Sequence, residues 1–193
     1  MTGATNLGAE HRAVAGRFTD VVLGAPGSTW DDPSPVAAWR ARDVVGHLVD
    51  WLGGFLEDGA GVRLPQGPPV GTDPVGAWLV HRDAVQALLE DPGTPGRSLV
   101  NPHIGTVPLD EAIDRFYTGD VFLHTWDLAR ATGQDATLDP DRCAAMLTGM
   151  EPLDDVLRAS GQYGPRVVVP DDADVQTRLI AFIGRDPAWS SGR

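Results

Sequence analysis

Apolar residues recur at helical spacing through most of this chain. In 8–23 (GAEHRAVAGRFTDVVL), Val14, Phe18, Val21 and Val22 fall on one face, which predicts a first helix. A second is predicted over about 41–58, with Asp43 early in it and Val44, Val45, Leu48, Trp51, Leu52 and Phe55 as its apolar face. A third spans about 73–90, where Asp73 can cap and Pro74 suits the first helical position. The fourth and longest covers about 109–132, opening at LDEA and stopped by Gly133. A fifth follows Asp139-Pro140 and runs to about 159 with a bend at Pro152. A last short helix covers about 173–184 and ends at Gly184.

The segments between these helices are rich in breakers. Gly24 to Pro35 reads as a loop around Trp30, and 59–74 holds four prolines and four glycines. Residues 91–108 are irregular, with SLV and HIGTV as candidates for brief strand pairing, and RVVVP (166–170) reads as a short strand. There is no internal repeat. The expected class is mainly α: a four-helix bundle with long crossover loops, because 59–72 and 91–108 are long for a simple up-down order. The expected organisation is a bundle over 1–160 and a short C-terminal strand/helix extension over 161–193 packed on it.

Charge narrows the range of partners. The 193 residues carry 15 Lys+Arg, all of them arginine, against 27 Asp+Glu, for a net charge of −12. That balance works against a nucleic-acid backbone and against an anionic membrane surface. The N-terminal MTGATNLGAEHR has no basic segment followed by an apolar one, and no apolar run approaches the length of a membrane span. The expectation is a cytoplasmic protein, monomer or homodimer, acting on a small molecule. The single cysteine, Cys143, excludes an internal disulfide or a CxxC motif and is expected to be a small buried side chain in a helix. The absence of lysine excludes a side-chain Schiff base. There is no GxSxG, P-loop, GxGxxG or HExxH.

Candidate chemistry concentrates in RDVVGHLVDW (42–51) and FYTGDVFLHTWDLA (116–129). Asp120 and His124 are four apart on a predicted helix and so share a face, with Asp127 three residues further on. His47 lies within the apolar band of the second helix and is expected to point inward, with Asp50 three residues on. One carboxylate and one imidazole from one helix plus an imidazole from a facing helix make a three-ligand site for Zn, Ni, Fe or Mn, with positions left open. Asp50 and Asp127 would then accept from the distal ring N–H groups. The same residues also read as a satisfied core histidine and solvated carboxylates. Arg82 is a candidate clamp for a substrate carboxylate, with an exposed helix surface as the alternative. Tyr117 is a candidate donor or acid, with a buried structural role as the alternative. His11 and His103 receive no role.

Three strings taken together, WDDPSPVAAWRARDVVGHLVDW, FYTGDVFLHTWDLARATG and RLIAFIGRDPAW, resemble the mycothiol-dependent maleylpyruvate isomerase family of actinobacteria, nearest its uncharacterised metal-binding branch. The resemblance covers about residues 10–189 and implies the DinB-like four-helix fold. It also implies a divalent metal, usually zinc, held by a His of the second helix and an acidic-xxx-His pair of a later one, which match His47, Asp120 and His124. The family's isomerases use Glu where this chain has Asp120. A short tail stands where the true isomerases carry a longer C-terminal domain. The function implied is a metal-dependent, mycothiol-linked transferase or isomerase acting on a small electrophile. Any reacting thiol would come from a bound cofactor, because Cys143 lies outside both chemical strings. The alternatives are a non-catalytic ligand-binding or accessory protein with a structural or vestigial metal, or a thiol-independent tailoring enzyme using the same pocket.

Overall fold

The computed structural model describes residues 6–192. The reading of the N-terminus as leader-free, and the start of the 1–160 unit, rest partly on residues 1–5, which lie outside the described residues. The protein is mainly α. The first three helices form where the apolar spacing placed them: α1 Leu7–Gly24, α2 Ala41–Ala60 and α3 Pro74–Glu90. Their starts are capped by short carboxylate or amide side chains that accept otherwise unpaired backbone N–H groups. Asn6 accepts from Ala9 at 3.1 Å, Asp43 from Arg40 at 2.8 Å and Asp73 from Gly76 at 2.8 Å. α2 ends at Gly61, whose φ of 64° a residue with a Cβ would reach only at a cost.

Residues 98–108 pair as anticipated. β1 (Ser98–Asn101) and β2 (Gly105–Pro108) form a two-stranded antiparallel hairpin with Leu99 opposite Val107. The long helix expected over 109–132 is continuous but not uniform. It opens as α4 (Leu109–Ala112), widens into a π-helical turn (Ile113–Thr118) and resumes as α5 (Gly119–Thr132). Such widened turns shift the face that the following residues present and concentrate at functional sites. α5 stops at Gly133, with φ 71°.

α1 packs along α3 and α5, and α2 packs along the same two, giving a ring α1–α3–α2–α5 around one core. The connections 25–40 and 91–108 therefore join helices that are not ring neighbours, whereas 61–73 joins neighbours. Phe18, Leu48, Leu52, Trp78, Ile113 and Leu128 are fully buried at the centre. Each such side chain contributes about 1.5–3 kcal/mol of burial energy. Phe18 meets Trp78 edge-on at 4.5 Å, and the Trp78 indole N–H donates to Thr19 Oγ1 at 2.9 Å.

Beyond the ring, α6 (Pro140–Met150), a 3-10 turn (Glu151–Leu153) and α7 (Asp154–Ala159) follow one another, broken at Pro152 as the sequence suggested. Cys143 is buried in α6. α8 is Val175–Phe182, shorter than the span anticipated, and packs on α6. The strand expected at RVVVP does not form. A run of valines becomes a strand only beside a partner strand, and none adjoins it; Val167 N–H finds Ala181 O at 3.0 Å, while Val168 stands almost wholly in solvent. The segment after α8 returns close to the chain. At Gly184 (φ 85°) an added Cβ would lie 2.8 Å from the Gly164 backbone, so only glycine fits there. No helix among the described residues is long and apolar enough to cross a membrane.

Candidate metal centre

Asp120 occupies the first turn of α5, and His124 lies one turn later on the same face. His47 projects from α2, which packs against α5. The ring of His47 stands 4.9 Å from that of His124, edge to face. His47 Nε2 is 3.0 Å from Asp120 Oδ2, and His124 Nε2 is 3.4 Å from Asp120 Oδ1. One ligand atom from each of the three lies within 4.8 Å of the other two. A tetrahedral ion bound at about 2.0–2.1 Å holds its ligand atoms about 3.4 Å apart, so the set closes on such an ion with little movement. Two imidazoles and one carboxylate are the donors that Zn and its neighbours take, and three protein ligands leave a position open.

The partners of these groups fix their protonation and aim. Asp127 is fully buried and can only accept, so its 2.9 Å contact places a proton on His124 Nδ1 and leaves Nε2 facing Asp120. Asp127 in turn receives Arg185 Nε at 3.1 Å and Nη2 at 3.3 Å. Gly184, in its left-handed conformation, turns the chain just ahead of Arg185. The Trp51 indole N–H donates to Asp120 Oδ2 at 3.0 Å. Burial alone would raise the Asp120 carboxyl, but the adjacent His124, the hydrogen bond and charge of His47, and the Trp51 N–H outweigh it and hold it below its ordinary value. Burial alone would lower His124; Asp120 and Asp127 outweigh it, with Arg185 opposing, and the imidazole is raised above its ordinary value.

Trp39 forms a wall over the site. Its ring stacks on His124 at 5.8 Å and lies 5.0 Å from His47. The residue before it, Ala38, has φ 66°, the one non-glycine positive φ among the described residues. A backbone strained in this way is tolerated where it sets the direction of a neighbouring side chain. Tyr163, half-buried in the C-terminal extension, has its phenol pushed up first by burial and then by the Asp120 charge, against Arg185 and Arg158. That places it within electrostatic reach of the site.

His47, Asp120 and His124 thus come together, and Asp127 accepts from His124 as anticipated. Asp50 does not accept from His47. It is exposed on α2, and the ring nitrogen of His47 that finds a carboxylate pairs with Asp120 instead. Arg82 is committed elsewhere: it donates to Asp83 at 2.8 and 2.6 Å and to Thr19 at 3.4 Å, with none of its contacts in the site. Tyr117 is fully buried, its ring 5.8 Å from Trp51, and its hydroxyl makes no bond to Asp120. Sequence reasoning missed Trp39, Trp51 as a donor, Tyr163 and Arg185. Only Trp51 carried a usable signal, being one turn from His47 on the same face.

The chain is 27% identical over 179 residues to proteins from two strains of Mycobacterium tuberculosis, each described only as an uncharacterized protein. The match covers 91% of this chain and 95% of theirs. No family model matches, and no solved structure matches.

Proposed function

We propose that this protein binds one divalent metal ion, zinc by preference, through His47, Asp120 and His124, and works as a cytoplasmic DinB-like transferase or isomerase that joins a thiol cofactor of the mycothiol kind to a small electrophilic substrate. The observation that carries the metal reading is the convergence of three ligand atoms within 4.8 Å from two packed helices. The thiol and the substrate class rest on the family resemblance of the strings around those residues.

Bound there, the ion would polarise a carbonyl or lower the pKa of a thiol at its open position. The chain's own residues do the rest. Asp127, held by Arg185, keeps the His124 proton on Nδ1 and so frees Nε2 for the ion. Trp51 holds one carboxylate oxygen in place. Trp39 shields both imidazoles from bulk water on one side.

The test is elemental analysis of the purified protein with calorimetric zinc titration, repeated on His124→Ala. One ion per chain, lost in the variant, is the expected result. A wild-type protein that takes up no divalent ion overturns the reading. Metal-dependent turnover of a panel of α,β-unsaturated acids with a low-molecular-weight thiol, read as thiol consumption for a transferase and as cis–trans conversion with the thiol returned for an isomerase, then tests the chemistry. Metal uptake without such turnover would leave a ligand-binding protein and refute the enzyme.

A further inference from the structure

A second group of polar side chains lies in the same helical core and takes no part in the site above. His11 on α1, His81 on α3 and Tyr117 in the π-helical turn are buried to 0%, 4% and 0% exposure. The ring of His11 stands 5.8 Å from that of Tyr117, and the ring of His81 stands 5.5 Å from it on an edge-to-face approach. His11 Nδ1 pairs with Thr118 Oγ1 at 2.9 Å. His11 Nε2, His81 Nε2 and the Tyr117 hydroxyl are each buried without a hydrogen-bond partner among the described residues. Single atoms of this kind occur elsewhere in the chain, but three on rings packed around one phenol form a cluster that asks for a shared guest.

We infer that His11, His81 and Tyr117 form a binding site for an internal water molecule, placed where α1 and α3 meet the π-helical turn. The chemistry of the donors selects the guest. Two imidazoles and a phenol can offer both donors and acceptors, and a buried water takes two to four such partners. No carboxylate belongs to the trio, so a cation there would be desolvated without a counter-charge, which disfavours a metal. Burial holds both imidazoles neutral, down at about 4, and the charge of His81 adds to the effect on His11. A neutral pair can accept or donate to water through Nε2 without introducing charge. The π-helical turn gives the arrangement its geometry: the same widened turn presents Thr118 to His11 and Tyr117 to both rings. The inference does not depend on whether the His47 site holds a metal.

The experiment is a crystal structure of the full-length protein grown with zinc, at a resolution that places ordered solvent, with anomalous data at the zinc edge. The expected result is one water peak, without anomalous signal, within hydrogen-bond distance of at least two of the three atoms. An anomalous peak between His11 and His81 overturns the inference, as does direct bonding of two of the three atoms to each other, or a site without density. The double variant Tyr117→Phe/His81→Leu should lose the water while the rest of the solvent structure is unchanged; a peak that persists there overturns it equally. Should that variant fail to fold, the wild-type map alone decides.

Discussion

The helical core holds two histidine pairs, and one member of each is buried to the same depth in opposite electrostatic surroundings. His124 and His81 are 5% and 4% exposed. Yet His124 is raised above its ordinary value, while His81 is lowered to about 4. The difference lies in what stands between the members of each pair. Asp120 sits between His47 and His124, and Asp127 backs His124 from behind. Tyr117, a neutral phenol, sits between His11 and His81. Depth alone pushes a buried imidazole toward neutrality; a carboxylate within hydrogen-bond reach reverses the sign. A carboxylate between two imidazoles offers a cation both a counter-charge and ring nitrogens to bind it, whereas a phenol beside two buried imidazoles offers no counter-charge and suits water.

The sharpest way to break this contrast is to remove the carboxylate's charge and keep its shape. Asp120→Asn is expected to weaken zinc binding about 1,000-fold, about 4 kcal/mol, by calorimetry. It should also move the His124 titration downward by NMR, since burial then opposes fewer attractions. A variant that keeps both zinc affinity and a raised His124 would show that Asp127 alone sets the difference.

The neutral pair should govern acid stability. His11 and His81 bind protons at about 6.5 in the unfolded chain and at about 4 in the folded one. Between those values the unfolded state holds more protons, so stability falls as pH drops from 6.5 toward 4. Each group accounts for about 3 kcal/mol of that loss at the lower limit. His124 has the opposite sign: its raised value contributes stability that is complete below 6.5 and lost as pH rises through the folded value. Urea unfolding of His81→Leu across this range should show an acid loss smaller by about 3 kcal/mol. An unchanged slope would mean that His81 charges freely inside the folded protein.

Much of the charged site was legible in the sequence, because it is built from short-range spacing. Asp120, His124 and Asp127 lie three or four apart on one helix, and His47 lies on the apolar stripe of another. A period of 3.6 residues is enough to aim them. What was not legible arrives through tertiary structure. Arg185 reaches Asp127 across 58 positions of sequence. Trp39 depends on a strained backbone at Ala38 that composition does not announce. The π-helical turn is invisible to an apolar pattern that reads as one helix over 109–132, and it is that turn which brings Tyr117 and Thr118 to His11. The misread strand at RVVVP has the same origin: three valines carry strand propensity, but the fold supplies no neighbouring strand.

The group behind His124 should matter less than the ligand itself. Asp127→Asn keeps the shape but can present an amide N–H to Nδ1, which would turn the imidazole to the wrong tautomer. Zinc affinity is expected to fall about 10–100-fold, measured by the same calorimetry. A fall as large as that of Asp120→Asn would mean that Asp127 acts as more than an outer acceptor.

The smallest effect should come from Ala38, and it tests whether the charged site has a cover that the neutral one lacks. His11, His81 and Tyr117 are enclosed by helices, whereas the His47 side chain is 32% exposed and shielded on one side by Trp39. Ala38 holds φ 66°, a conformation that costs a residue with a Cβ about 1–2 kcal/mol. Glycine adopts it freely but loses more entropy on folding, about 0.5–1 kcal/mol. Ala38→Gly should therefore shift stability by less than about 1 kcal/mol, toward greater stability. If Trp39 is positioned by that turn, zinc affinity should stay within about two-fold of the wild type, because glycine preserves the turn. Ala38→Val is the counterpart, since a β-branched residue is poorly accommodated at positive φ. It should lower stability and quench or shift the Trp39 fluorescence response to zinc, while leaving the acid titration of His11 and His81 unchanged. Loss of that titration as well would show that the two regions are coupled through the shared helix face and are not independent sites.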